Sequence, residues 1–453
     1  MSAGSIQRPT PFDDNARPYP RAVTELAGRV EASTLPGRGE FLRLEASIEP
    51  LDLLQWLRSM PAGTRRYFRD RSARYEFAAV GSAVRTAFGE HGHWIQVASA
   101  GASARAAAWF VALPFDALRT RDARWASFET EACVLPEIEV RRDGETHTIA
   151  VHLTEHTDQA ALAASMRAID AATPPCVVEP ALVREPDGGD EEIWSHAVRA
   201  VLDRIRGGSL RKAVLARTRR YAASGALDPV AVLSRLAARE SRGFRFLVEA
   251  GAGRAFLGVT PERLVARSGR IARSEAVAGT RPRGVDAVAD RLLGESLLAS
   301  AKDRREQELV VERVREALAN CATSLRIDLE PRLLRLAYVQ HLATRVQAEL
   351  RPGVGDLDLV HALHPTPAVA GSPVAGAIET LRELEPFDRG LYAGPIGIVS
   401  RDGAEIAVAI RSARIDGDTL TAFAGAGIVD GSDPAEEWRE TGHKLLAFER
   451  LAT

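Results

Sequence analysis

The sequence predicts a fold that mixes α-helices with short β-strands. Between residues 23 and 151, apolar runs of strand length such as Phe41–Ile48 alternate with turns rich in Gly and Arg. Further on, Glu191–Arg206 has the spacing of an amphipathic helix, and Phe244–Ala250 with Ala255–Gly258 predicts a hairpin. At 453 residues the chain is long enough for two or three ordinary domains or for one large domain.

The composition argues against several classes of protein. The formal net charge is -2 and there is no long basic run, so nucleic acid is not an expected partner. Cys133, Cys176 and Cys321 are widely spaced, which predicts neither a disulfide framework nor a zinc site and suits a reducing cytoplasm. Residues 1–20 lack the apolar core of a signal peptide, and no apolar run could span a bilayer. We therefore expect a cytoplasmic protein with a flexible leader at 1–20.

A helix is predicted to begin at Asp433. Asp433, Pro434 and Glu436 fit an N-cap, a first-turn proline and a capping-box acid. Glu437 and Glu440 stand three residues apart and share one face of this helix. Acids near a helix N-terminus are usually a solvated face that complements the helix dipole. The alternative is that the pair holds a cation.

A glycine turn is predicted just upstream, at Gly425–Gly427. Glycine lets the backbone approach a small ligand closely, and exposed amides in such a turn favour an anion. An anion beside the paired carboxylates suggests a cation between them.

Lys212 and Glu262 are candidates for proton transfer. Lys212 shares one face of the predicted strand Leu210–Arg217 with Val214, so it either extends to solvent or lies buried, where desolvation favours the neutral amine that can act as a base. Glu262 follows Pro261 at the end of a predicted strand, where the restricted backbone suits a positioned acid. A first-turn helical glutamate is the alternative for Glu262.

Glu306 lies on the apolar side of a helix predicted from Lys302. It stands one turn before Val310, on the stripe that Val314 and Leu318 continue. An acid on a buried face is costly unless it is paired or binds a metal, so Glu306 is the candidate second half of a cation site.

Two further stretches contain candidate substrate ligands. In Ser274–Gly284, the amides and hydroxyl of Gly279 and Thr280, with two arginines nearby, suit an anionic substrate, although an ordinary surface turn has the same composition. Arg411 lies in the predicted strand Ala404–Ile415.

These stretches belong to a set of motifs in which the chain from about Trp194 to Thr453 resembles the chorismate-utilising enzymes. That family includes isochorismate, anthranilate, aminodeoxychorismate and salicylate synthases. The motifs, in order, are KAVLAR at Lys212, FLGVTPERL at Phe256, EAVAGTRPRG at Glu275, SAKDRREQ at Ser300, VQHLAT at Val339, LHPTPAVAG at Leu363, RGLYAGPIG at Arg389, AIR at Ala409 and AGAGIV at Ala424.

The resemblance implies an α+β fold, a single large unit in which two antiparallel sheets face each other with helices outside. The leader at 1–20 would precede a variable part of the fold at 21–190, and the chorismate-binding catalytic region would occupy 191–453. The proline-rich connection predicted at Pro174–Asp190 agrees with a boundary there.

The resemblance also implies a magnesium site and a substrate pocket. Glu306 and Glu440 would bind Mg2+ directly and Glu437 through water, which suits the hard oxygen ligands that Mg2+ prefers. The family commonly has histidine after the acid that Glu306 matches, whereas this chain has Gln307. The residues that would bind substrate are Gly279, Thr280, His341, Ala368, Tyr392, Arg411, Gly425, Ala426 and Gly427.

By the same resemblance, the reaction is that of an isochorismate synthase. Relatives that add ammonia usually have glutamine where this chain has Lys212, so Lys212 is expected to activate water for attack at C2 of chorismate. Glu262 would protonate the departing 4-hydroxyl. No glutaminase partner is expected, and many relatives are monomers.

Two alternatives remain open. Relatives that go on to eliminate pyruvate tend to have threonine where this chain has Ala368, so salicylate synthesis is the first alternative. Formation of anthranilate or aminodeoxychorismate is the second, and Lys212 argues against it. Siderophore synthesis, menaquinone synthesis and the synthesis of salicylate-derived metabolites are all open as the pathway that uses the product.

Overall fold

The computed structural model describes residues 18–86, 106–119, 122–171, 180–186, 190–240, 243–336 and 339–452. The predicted leader up to residue 17 and Cys176 lie outside these ranges. The first helix begins at Pro18, so the end of the stretch predicted as a leader belongs to a helix. None of the described helices has the length and hydropathy needed to cross a membrane.

Helices flank the sheets along the whole described chain. Besides a 3-10 helix at Ala123–Glu131, the α-helices of the described part are α1 (Pro18–Ala32), α2 (Leu53–Ser59), α3 (Gln159–Ala171), α4 (Asp190–Arg206), α5 (Pro229–Arg239), α6 (Ala287–Ala299), α7 (Ala301–Cys321), α8 (Asp356–Leu363), α9 (Val374–Leu384) and α10 (Pro434–Glu449).

Strands come from both the N-terminal and the C-terminal parts of the described chain. They are β1 (Leu42–Ile48), β2 (Arg66–Arg69), β3 (Tyr75–Val80), β4 (Val84–Thr86), β5 (Trp109–Ala112), β6 (Cys133–Leu135), β7 (Ile138–Asp143), β8 (Thr146–Leu153), β9 (Leu182–Arg184), β10 (Lys212–Ala223), β11 (Phe244–Glu249), β12 (Arg254–Thr260), β13 (Arg263–Ser268), β14 (Ile271–Pro282), β15 (Ala322–Ile327), β16 (Arg332–Arg335), β17 (Val339–Leu350), β18 (Gly371–Ser372), β19 (Pro395–Val399), β20 (Gly403–Val408), β21 (Ser412–Asp416) and β22 (Thr419–Ile428).

The strands form two antiparallel sheets. The larger sheet has the order β1-β8-β7-β3-β2-β11-β12-β21-β22-β10-β18, with β9 paired to β10. The smaller sheet has the order β15-β17-β14-β13-β20-β19-β5-β6-β4, with β16 paired to β17. The α+β class and the two antiparallel sheets predicted for the chain are therefore confirmed.

One hydrophobic core joins the two sheets. Phe246 and Phe256 of the larger sheet belong to the same buried cluster as Val265 and Ile406 of the smaller sheet. Alternate residues of the larger sheet, such as Leu247, point to its other face, where helices α1, α2, α3, α5 and α10 cover a second core. The two sheets therefore pack against each other through the first core.

The N-terminal part of the chain extends both sheets. Strands β1, β2, β3, β7 and β8 continue the larger sheet beyond β11, and β4, β5 and β6 continue the smaller sheet beyond β19. This part therefore shares its sheets with the rest of the chain.

Two predicted local structures and one alternative interpretation are wrong. Gly425–Gly427 is not a turn but part of the long strand β22, paired with β10. The surface turn that was the alternative for Ser274–Gly284 is not found around Gly279, which lies in the continuous strand β14, where a bulge places it at φ +66°. Arg411 lies not within a strand but between β20 and β21, and its φ of +52° directly precedes the first residue of β21.

Candidate active site

A cavity of about 350 Å3 lies between the two sheets, where β10 and β22 of the larger sheet approach β14 and β17 of the smaller sheet. Helices α7 and α10 complete its wall. The predicted site residues that line it are Lys212, Glu262, Gly279, Thr280, Glu306, His341, Ala368, Tyr392, Arg411, Gly425, Gly427, Glu437 and Glu440. Ala426 does not line it, because side chains alternate along β22 and that of Ala426 is buried in the core.

Lys212 and Glu306 meet across this cavity. Lys212 is the first residue of β10, and only 1% of its side chain is exposed. Its Nζ donates a hydrogen bond of 2.7 Å to Oε1 of Glu306 on α7. A Cβ at Gly427 would lie 2.9 Å from both Glu306 Oε1 and Lys212 Cε. A side chain at this position of β22 would displace the ends of Lys212 and Glu306, and glycine avoids this displacement.

Glu262 is buried at the junction between β12 and β13. It is not on a helix, so the alternative interpretation as a first-turn helical acid is wrong. Burial raises the pKa of Glu262 to about 7, although the charge of Lys212 opposes the shift. The carboxyl group therefore keeps a proton close to neutral pH.

Helix α10 begins as the sequence predicts. The side chain of Asp433 accepts hydrogen bonds of 3.0 Å from the amides of Ala435 and Glu436, as an N-cap does. Glu437 is only 5% exposed, so it is not part of a solvated face. Burial, and then the charge of Glu440, raise the pKa of Glu437 to about 7.

The acids of the cavity contact lysines. Glu440 accepts a hydrogen bond of 2.6 Å from Lys444, and Glu437 lies 3.8 Å from Nζ of Lys302. Within the described ranges, no three acidic, histidine or cysteine side chains are close enough to coordinate one ion. The predicted ligands Glu306, Glu437 and Glu440 therefore share the cavity without forming an assembled ligand set.

His341, Thr280 and Arg411 form a polar group on the opposite side of the cavity. Nδ1 of His341 lies 3.0 Å from the carbonyl oxygen of Gly279, which can only accept, so Nδ1 carries the proton. Nε2 then accepts from Nη2 of Arg411 at 3.3 Å. Burial, with the charges of Arg411 and Lys444, lowers the pKa of His341 to about 3, which keeps the ring neutral.

Tyr392 forms another part of the wall. Its ring stacks on Phe423 with centroids 5.1 Å apart, and a Cβ at Gly425 would lie 3.1 Å from its hydroxyl oxygen. Burial raises the pKa of Tyr392 to about 12, so the phenol stays protonated. Gly425 thus leaves room for Tyr392 on the face of β22 that Gly427 shares.

Comparison with known proteins identifies the family. The sequence profile described as chorismate binding enzyme matches residues 29–451. The chain belongs to the chorismate binding enzymes. The resemblance predicted from the motifs between Trp194 and Thr453 is therefore confirmed.

Individual relatives in this family are similar over much of the chain. The salicylate biosynthesis isochorismate synthase of Pseudomonas aeruginosa is 39% identical over 346 residues, which are 74% of this chain and 72% of that protein. An isochorismate synthase of Bacillus subtilis is 38% identical over 56% of this chain, and the match spans about half of that relative, 54%. The structure of the menaquinone-specific isochorismate synthase from Escherichia coli superimposes with a TM-score of 0.84 and 27% identity, covering 96% of this chain and 99% of that one.

Sequence reasoning missed three residues of this chorismate binding enzyme's cavity. Lys444 donates to both Glu440 and the carbonyl of Gly425, at 2.6 Å and 2.8 Å, and Lys302 approaches Glu437. Asp303 lies under the bulge at Gly279 and pairs with Arg281 at 2.7 Å. Helical spacing could have found both lysines, because Lys444 follows Glu440 by one turn and Lys302 precedes Glu306 by one turn.

Proposed function

We propose that this protein is an isochorismate synthase, an isomerase that converts chorismate into isochorismate. The observation that carries the proposal is that Lys212 and Glu262, both buried, line one cavity, where the charge of Lys212 acts on the pKa of Glu262. The names of the relatives in Pseudomonas aeruginosa, Bacillus subtilis and Escherichia coli support the same activity.

Lys212 and Glu262 would transfer the two protons of the reaction. Lys212 Nζ accepts a proton from the water that attacks C2, the ring double bonds shift, and Glu262 donates its proton to the hydroxyl that leaves C4 as water. One water enters and one leaves, so the product is an isomer of the substrate. Lys212 can accept this proton only as a neutral amine, and its Nζ lies 2.7 Å from Oε1 of Glu306, so the two residues act together.

The acids of the cavity fit a magnesium ion in their chemistry. Glu306, Glu437 and Glu440 supply only hard oxygen donors, and the mutual repulsion of Glu437 and Glu440 contributes to the raised pKa of Glu437. Two carboxylates that disfavour each other's charge gain from a cation held between them. Mg2+ bound by these three residues would offset most of their negative charge and anchor a carboxylate of the substrate.

The remaining polar residues suit the two carboxylates of chorismate. Arg411 and Lys444 carry positive charge into the cavity, and the hydroxyls of Thr280 and Tyr392 can donate hydrogen bonds. Because the Nδ1 proton of His341 is held by the carbonyl of Gly279, the role of His341 is to orient Arg411.

A product assay tests this function. The purified protein is incubated with chorismate and Mg2+, and the products are separated by chromatography. Isochorismate without release of pyruvate is the expected result. Formation of salicylate and pyruvate would show instead that the protein is a salicylate synthase, the alternative that Ala368 argues against. No turnover, or a product formed only with added ammonium, would overturn the proposal.

We also propose that the enzyme acts in the cytoplasm as a monomer without a glutaminase subunit. Lys212 supports the part of this proposal that concerns the glutaminase, because relatives that use ammonia usually have glutamine at this position. The names of the relatives point to salicylate biosynthesis in Pseudomonas aeruginosa and to menaquinone synthesis in Escherichia coli as pathways that such a product could enter, and siderophore synthesis is a third.

A further inference from the structure

A second pocket, outside the cavity described above, is lined by six arginines. Its volume is about 580 Å3, and its two acidic residues are Glu275 and Asp328. We call it the arginine pocket, and its arginines are Arg71, Arg263, Arg273, Arg326, Arg332 and Arg345.

Strand register explains how the arginine pocket forms. Arg273 on β14 and Arg326 on β15 are both cross-strand partners of Gln347 on β17, while Glu275 is opposite Arg345. These residues therefore alternate with Ala272, Ala276, Val346 and Ala348, which belong to the core, and project from the opposite face of the smaller sheet. Five of the six arginines thus lie on strands, and Arg71 lies in the turn between β2 and β3.

The positive charge of the arginine pocket exceeds what its acids can neutralise. One oxygen of Glu275, Oε1, accepts from Arg71 at 2.8 Å and from Arg332 at 3.1 Å, while Arg263 pairs mainly with Glu405. Arg273, Arg326 and Arg345 make no side-chain hydrogen bond or ion pair to any other described residue. Burial lowers the pKa of Arg332, and the charges of Arg345 and Arg71 add to that effect.

We propose that the arginine pocket is a binding site for a small, multiply charged oxyanion, either a phosphate ester or a polycarboxylate. Unpaired guanidinium groups that converge on a concave surface are the donors that such anions bind, two hydrogen bonds at a time. A recessed shape and the two acids within it suit a compact ligand better than an extended polyanion.

The arginine pocket is linked to the proposed acid of the active site. Arg71 bridges the two, because Nη1 donates to the carbonyl oxygen of Pro261 at 2.9 Å while Nη2 donates to Glu275. An anion that draws Arg71 away from Glu275 would therefore act on the backbone that holds Glu262.

Binding is tested on the full chain by calorimetry in metal-free buffer of low ionic strength. Inorganic pyrophosphate and citrate serve as separate probes for the phosphate and polycarboxylate sources. The test variants are Arg273→Gln and Arg345→Gln, whose exposed side chains have no partner to lose. Arg206→Gln is the matched control, since it removes an exposed arginine from α4.

We expect one site per chain for at least one probe, with affinity reduced at least tenfold in each test variant and unchanged in the control. Absence of saturable binding to the unmodified protein, or equal affinity in Arg345→Gln, would overturn the proposal. Thermal unfolding of each variant is measured to verify that it is folded. None of these outcomes depends on catalysis, so they are independent of the proposed isochorismate synthase activity.

A second measurement rests on the proposed function and tests the link to Glu262. The charged and titratable groups that influence Glu262 are Lys212, Glu275, Lys444 and Tyr392. An anion bound beside Glu275 adds negative charge on the same side, so the activity limb above neutral pH should move to higher pH. At equal free Mg2+, adding the anion should produce this shift in Arg206→Gln and should not produce it in Arg345→Gln. A shift of equal size in both variants would refute the link.

Discussion

Lys212 and Glu306 join the two halves of the active-site cavity, with Nζ of the lysine 2.7 Å from Oε1 of the glutamate. Lys212 opens strand β10 of the larger sheet, and Glu306 lies on α7, which packs on β14 and β17 of the smaller sheet. The proposed base is therefore held by a proposed metal ligand. Whether Lys212 can accept a proton depends on what else Glu306 binds.

Replacing Lys212 should abolish most of the activity. In Lys212→Ala we expect kcat to fall by about 10^2- to 10^4-fold, the usual contribution of a general base. Initial rates of isochorismate formation, determined by chromatography, measure the change. Because Glu306 is 15% exposed, water can solvate its carboxylate once the lysine is gone, and the protein should remain folded. Activity above a tenth of the original rate would show that Lys212 is not the base.

Activity should decrease as pH rises through about 7. Burial raises the pKa of Glu262 from 4.5 to about 7, so the protonated form that can donate is present below about pH 7 and is lost above it. Rates are measured against pH at saturating chorismate and Mg2+. In Glu262→Gln the rate should be lower by about 10^2-fold or more, and this descending limb should disappear. A descending limb that persists in Glu262→Gln would assign the limb to another group.

Glu437 should control the dependence on magnesium. Its pKa of about 7 means that a proton competes with the cation, so the Mg2+ concentration needed for half-maximal rate should rise as pH falls below 7. In Glu437→Gln we expect that concentration to increase about 10- to 100-fold, with partial recovery of rate at high Mg2+.

Titration of activity with Mg2+ after treatment with a chelator measures this effect. Glu383→Gln provides the control, because Glu383 is an acid on α9 with 63% of its side chain exposed. An unchanged Mg2+ requirement in Glu437→Gln would remove Glu437 from the proposed metal site.

Local signals predicted the elements whose structure depends on nearby residues. Helix α10 begins at its N-cap Asp433 because the bonds from Ala435 and Glu436 involve only adjacent sequence. The Lys212 strand and the α7 stripe before Val310 were likewise readable from periodicity. These three elements carry the proposed base and metal ligands, which is why the sequence could indicate them.

Elements that depend on distant partners could not be predicted in the same way. The stretch around Gly279 has turn composition, yet pairing with β17 makes it a bulged strand, and the same pairing sets Thr280 opposite His341. The glycines of Gly425–Gly427 also suggested a turn. The sequence does not reveal which atoms a Cβ at these positions would contact in the folded chain. In both cases the residues that pack against the glycine in the folded chain determine why a residue without a Cβ is needed there.

Gly427→Ala should inactivate the enzyme through a single methyl group. Its Cβ would lie 2.9 Å from both Glu306 Oε1 and Lys212 Cε, closer than such atoms approach, so the ends of these two side chains must move from their present positions. Since both partners extend into a cavity, we expect the loss in kcat to exceed tenfold while the unfolding temperature changes by only a few degrees. Gly225→Ala is the control, because a Cβ at Gly225 would have no atom within 4 Å. If Gly427→Ala retained full activity, the position of Lys212 beside Glu306 would not matter to catalysis; if it lost activity only by unfolding, the circular dichroism spectrum would reveal it.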